Sequence, residues 1–128
     1  MNPLTLEWIE KAEGDLATTG RELRARKLPN YDAACFHAQQ TAEKYLKAAL
    51  QEAGRNIPKT HSLVELLGLC LEIDKTYELL LPDLTLLDAY AVQYRYPGNA
   101  ANRLEARSAY QSARVIREMI RSKLGLVS

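Results

Sequence analysis

The sequence predicts an all-α domain, an antiparallel up-and-down bundle of about five helices, on three observations. Apolar residues recur at helical spacing through almost every segment, and no stretch keeps the alternation that a half-buried strand needs. Pro3, Pro29, Pro82 and Pro97 fall at the edges of those segments. The connections between segments are short, which favours antiparallel neighbours. A chain of 128 residues, 47% hydrophobic and 26% charged, makes one domain over 1–128 and excludes a second. That length buries a sizeable core without metal or disulfide support.

Asn2-Pro3 opens the first helix, a capping residue followed by proline at the first helical position, with Trp8, Ala12, Leu16 and Leu23 at near-helical spacing. Its expected end is near Lys27, before Leu28-Pro29. Asn30 caps a second helix, Tyr31 to Ala53, about 35 Å long and stopped by Gly54. Ala34, Cys35, Ala38, Ala42, Tyr45, Leu46 and Ala49 form its apolar stripe. Ser62 with Glu65 reads as a capping box for a third helix, whose apolar face is Leu63, Leu66, Leu67, Cys70 and Leu71. Pro82 begins a fourth helix that runs to about Tyr94, because Tyr96-Pro97-Gly98 cannot continue it. Asn102 with Glu105 caps a fifth, ending near Gly125, with a core face of Ala106, Ala109, Ala113, Ile116, Ile120 and Leu124.

The N-terminal stretch is acidic and lacks an apolar run, so it reads as neither signal nor transit peptide, and no segment is apolar enough to span a membrane. Cys35 and Cys70 sit in apolar-periodic segments without metal-ligand spacing. They read as two reduced, buried thiols of a cytoplasmic protein, and no metal or cofactor is expected beyond a nucleotide ligand. No hydrolase, zinc-protease or glycine-loop motif occurs. Net charge is only +1, but it is unevenly spread. Residues 60–94 hold six carboxylates against one cation, and residues 95–128 hold seven cations against two carboxylates.

Three constellations carry chemistry. On the second helix His37, Gln40 and Lys44 fall within roughly 60° of arc, away from the alanine-rich stripe. Imidazole, amide and ammonium together suit a phosphate or a base edge, and the alternative is a solvated face. On the fifth helix Arg103, Arg107, Tyr110, Arg114, Arg117 and Arg121 recur every three or four residues along one line. Like charges so stacked repel one another, which leaves three options: carboxylates of the 60–94 segment face them, a nucleic-acid or nucleotide phosphate docks there, or water covers them. Leu104, Val115 and Met119 add a second apolar strip to this helix, as an oligomer interface would. Arg95, finally, stands among Tyr90, Tyr94 and Tyr96 at a helix end, where a guanidinium can bind phosphate or stack on a base. Tyrosines four residues apart also fit a core position with a polar tip. His61 precedes the Ser62 cap and has the simpler role of bonding that helix start.

The run Phe36-His37-Ala38-Gln39-Gln40-Thr41-Ala42-Glu43-Lys44-Tyr45-Leu46-Lys47-Ala48-Ala49-Leu50, then Thr60-His61-Ser62-Leu63, then Arg95-Tyr96-Pro97 before a long last helix, resembles the HEPN domain family over nearly the whole chain. The resemblance implies a helical bundle that forms homodimers and is encoded beside a minimal nucleotidyltransferase in a toxin–antitoxin-like arrangement. Many HEPN proteins are metal-independent ribonucleases that use an arginine and, four to six residues further on, a histidine at the dimer cleft. Arg95 matches that arginine, whereas the histidine positions hold Ala100, Ala101 and Asn102. Without an imidazole, proton transfer loses a contribution of about 10²- to 10⁴-fold. The reading favoured is therefore a binding module for a nucleotide or a partner enzyme, not itself a catalyst. In it Arg95 takes phosphate, Tyr96 stacks, and His37, Gln40, Lys44 and His61 add polar contacts. A ribonuclease with Arg95 as its arginine, His37 or His61 standing in for the histidine, is the alternative, and a purely structural scaffold is the third.

Overall fold

The structure, a computed structural model, describes residues 1–127. Five helices account for the fold: α1 (Pro3–Arg24), α2 (Tyr31–Glu52), α3 (Leu63–Leu71), α4 (Leu81–Gln93) and α5 (Arg103–Lys123), with a 3-10 turn at Lys75–Leu80 before α4. No strand occurs among the described residues, and none of the helices is long and apolar enough to cross a membrane. The expected starts of α1, α2, α3 and α5 coincide with side-chain caps. Asn2, Asn30, Ser62 and Asn102 each accept a backbone N–H of the first turn.

α2 is the axis of the molecule and packs against every other helix. Small residues let its neighbours approach closely: Ala34, Ala38, Ala42 and Ala48 are wholly buried beside Cys35, Tyr45, Leu46 and Leu50. Ile9 and Ala12 of α1, Leu63 and Leu66 of α3, Leu84 and Leu87 of α4, and Ala106, Ala109, Ile116 and Ile120 of α5 complete one contiguous core. α1 lies antiparallel to α2, with Thr5 bonded to Glu52 at one end and Thr19 to the Ala34 carbonyl at the other. α5 is antiparallel to both α1, through Glu13–Arg117, and α4, through Asp83–Ser112.

Four details depart from expectation. α1 ends at Arg24, three residues before Lys27: Ala25 turns extended ahead of Leu28-Pro29, where helix is disfavoured, and Leu28 takes a left-handed φ of 48°. The first face of α1 is not purely apolar, because Thr5 and Thr19 are buried there while Trp8, Leu16 and Leu23 are only partly so. The box at Ser62 closes on one side only. Glu65 accepts from the Thr60 hydroxyl instead of the Ser62 N–H, and Asp88 of α4 takes the Leu63 and Val64 N–H groups. Lastly, residues 53–62 run back along α2, so short α3 lies alongside α2 in the same sense, with His61 level with Gln39 and Cys70 with Leu46. The four long helices keep the up-and-down arrangement.

Candidate functional site

Arg95 lines a cavity of about 390 Å³ between the start of α2 and the end of α4. Asn30, Asp32, Ala33 and Phe36 form one wall, and Tyr90, Ala91, Tyr94 and Arg95 the other. The rings of Tyr90 and Tyr94 are tilted, with centroids 5.5 Å apart, and Phe36 is 42% exposed. Tyr94 is buried and its hydroxyl bonds to Glu105, the residue that closes a complete capping box with Asn102 at the start of α5. Burial and that bond push the Tyr94 phenol well above its usual range, while the same bond lowers Glu105. Asp32 Oδ1 accepts the Ala101 N–H at 2.7 Å, tying the 95–101 segment to α2. Arg95 forms no ion pair among the described residues. The cavity thus offers one unpaired guanidinium, one carboxylate with an oxygen to spare, and aromatic walls. Tyr96 is 64% exposed and does not line it.

The polar trio of α2 lies elsewhere. His37 Nδ1 is 2.7 Å from Asp15 Oδ1, and Lys44 Nζ donates to Asp15 Oδ2 at 2.5 Å, so both are turned onto α1. Gln40 bonds instead to Gln39 and Glu43. Glu43 is buried at the centre of another cluster: Lys47 donates to Oε2 at 3.1 Å, and His61 Nδ1 lies 3.0 Å from Oε1. The His61 ring is otherwise exposed, so its Nε2 edge is open. Arg95, the Asp15 cluster and the Glu43 cluster are three groups, and the first two adjoin where the His37 ring packs edge-on against Phe36 of the cavity wall, centroids 5.3 Å apart. Sequence reasoning missed the acids that part them, because Asp15 and Glu43 join their partners only when α1, α2 and the 53–62 segment pack. Phe36 and Asp32 were missed too, although an aromatic residue beside an alanine stripe was a usable signal.

Along α5 the arginine line divides. Arg117 Nε donates to Glu13 at 2.8 Å, and Glu13 also accepts from the Tyr45 hydroxyl at 2.5 Å. Burial alone would raise the Glu13 carboxyl, but those two bonds outweigh it and hold it below its usual 4.5. Tyr45 in turn is pushed up to about 12, by burial first and by Glu13 second. Arg121 donates twice to the Val127 carbonyl and once to Tyr45. The carboxylate that meets the line from another helix therefore comes from α1, and the 60–94 segment spends Asp74 on Lys123 and Asp83 on Ser112. Arg103 and Arg107 are exposed, as are Leu104 and Val115 on the neighbouring strip. Among the described residues no three His, Cys, Asp or Glu side chains gather as a metal would require.

A crystal structure of TT1696 from Thermus thermophilus superposes with TM-score 0.79 at 29% identity, covering 93% of this chain and 97% of that one. ST0689, described as an archaeal HEPN homologue, superposes with TM-score 0.76 at 26% identity, covering 93% and 96%. No curated protein matches the chain. The HEPN domain family model matches residues 5–123, within which lie all five helices save the first two residues of α1. The chain belongs to the HEPN domain family.

Proposed function

We propose that this chain is a nucleotide-binding module that works with a minimal nucleotidyltransferase in a toxin–antitoxin-like pair and is not itself a catalyst. The observation that carries the reading is the Arg95 cavity, where an unpaired guanidinium, a half-used carboxylate and aromatic walls meet. A guanidinium fork grips phosphate with two parallel bonds. Phe36 and Tyr90 give a base flat faces to lie against, and Asp32 Oδ2 can accept from an exocyclic amine. The positions where a catalytic histidine would stand do other work: Ala101 N–H bonds Asp32, and Asn102 caps α5. His37 and Lys44 then serve as braces between α1 and α2, while Gln40 bonds within α2. Leu104, 73% exposed, and Val115 support a homodimer, which light scattering measures. Calorimetric and thermal-shift titration with ATP and other nucleotides tests the ligand. Ligand at a hundredfold over Kd stabilises by about 2.7 kcal/mol, and Arg95→Ala abolishes the shift. No response at millimolar nucleotide sinks this reading. Co-purification with the product of the neighbouring gene tests the partner. A complex that survives Arg95→Ala while no nucleotide binds leaves a scaffold.

One observation favours a second reading, a metal-independent ribonuclease. Buried Glu43 holds His61 by Nδ1 and leaves Nε2 open, the posture of a general acid–base. His61 does not line the Arg95 cavity, and this reading brings the two together across paired chains. RNA cleavage in EDTA, lost in both Arg95→Ala and His61→Ala, is its signature, and RNA left intact by pure protein removes it.

A further inference from the structure

A second charged hollow shares no residue with the Arg95 cavity. It is a groove of about 440 Å³ between α1 and α5, into which Arg21 and Arg24 project from one side and Arg114 and Arg117 from the other. Glu13 is the one carboxylate in its lining, and its bonds to Arg117 and Tyr45 already occupy it. Arg21 donates to the Thr18 hydroxyl, and among the described residues Arg114 has only Glu118 at 3.7 Å, an exposed pair of the kind that contributes little. The groove therefore keeps a surplus of positive charge.

The helix dipole accounts for Arg21 and Arg24, which stand in the last turn of α1. It does not account for Arg103 and Arg107, which sit near the positive end of α5 and extend the groove's charge along that helix. From Arg103 to Arg121 the line is about 27 Å long, with successive positions about 5–6 Å apart. At its middle stands Tyr110, with the Arg114 guanidinium 5.8 Å from the ring centroid. Gly20 lets Arg24 fold in beside that ring. A methyl group there would lie 3.1 Å from Arg24 Nη1 and 3.7 Å from both Tyr110 Cε1 and its hydroxyl.

We propose that the α1–α5 groove holds a single strand of nucleic acid, with Arg21, Arg24, Arg107 and Arg114 on successive phosphates and Tyr110 beneath a base. Guanidinium forks match phosphate oxygens, and a flat ring flanked by cations accepts any base face, so the grip is independent of sequence and of sugar type. An acidic polypeptide would use the arginines and leave the ring idle.

Fluorescence anisotropy with labelled oligothymidylate and oligouridylate, across a salt series, reads the site out. Both strands bind, and log K falls against log salt with a slope of about −3, the value for four phosphate contacts on a single strand. Arg24→Ala/Arg114→Ala brings the slope to about −1.4. Tyr110→Ala weakens binding about tenfold with the slope kept. Arg107→Glu, a change at an exposed position that leaves the fold intact, weakens binding and flattens the slope to about −2, and circular dichroism checks each variant. Absence of binding, an unchanged slope in the double variant and in Arg107→Glu, equal affinity for polyglutamate, or loss of strand binding on Arg95→Ala alone would each overturn the proposal. Mononucleotide titration at the other cavity succeeds or fails independently.

Discussion

Glu13 shows what one side chain can do at a junction of three helices: from α1 it accepts from Tyr45 of α2 and Arg117 of α5. Its carboxyl is held below 4.5, so it contributes stability that is present above that pH and lost as pH falls through the lower folded value. Glu13→Gln is expected to lower stability by about 1–2 kcal/mol at pH 7 and to flatten the acid limb of the profile. Urea midpoints from neutral to acidic pH measure both effects, and parallel curves for the two proteins would contradict the assignment. The thiols give a complementary case. Cys35 and Cys70 are fully buried, and burial pushes each up to about 12. Neither should react with a thiol reagent in the native protein, and both should once it is unfolded. Their burial was readable from spacing alone, since each falls on a stripe of alanine or leucine. The fate of His37 and Lys44 was not, because Asp15 of another helix decides it.

At the level of elements, helix starts were the most legible feature, since a cap is chemistry confined to four consecutive residues. Asn102 with Glu105 is read directly from sequence and forms the full reciprocal pair. The start of α3 was half legible. Ser62 caps as expected, but Asp88 of α4 accepts the next N–H groups from twenty-five residues away. Asp88→Ala should therefore unfasten α3 from α4 and cost about 1–2 kcal/mol, more than Ser62→Ala, whose bond is a single one. Chemical denaturation of the two variants orders them, and equal losses would refute the ranking. The 3-10 turn at Lys75–Leu80 was not read, although Asp74 caps it by accepting the Thr76 N–H, because its leucines fit an ordinary helix as well; Tyr77 and Leu80 are buried in the core.

Over the whole molecule, the fold class was legible and the site only in part. Arg95 and the Tyr90–Tyr94 pair announce one wall of the cavity. The other wall depends on which end of α2 meets which end of α4, and periodicity does not encode that. The same limit explains why a polar arc on α2 looked like one convergent surface and divides into two braced clusters. Asp32 carries a consequence for how this protein can be watched. Asp32 lines the cavity and also holds the Ala101 amide, so any guest that draws on this carboxylate must share it or pull it away. Occupancy is then written into the exchange rate of a single backbone hydrogen. Deuterium uptake at Ala101 should slow if the guest leaves the latch shut and quicken if it springs it, and Asp32→Ala should leave that amide exchanging fast with or without a guest.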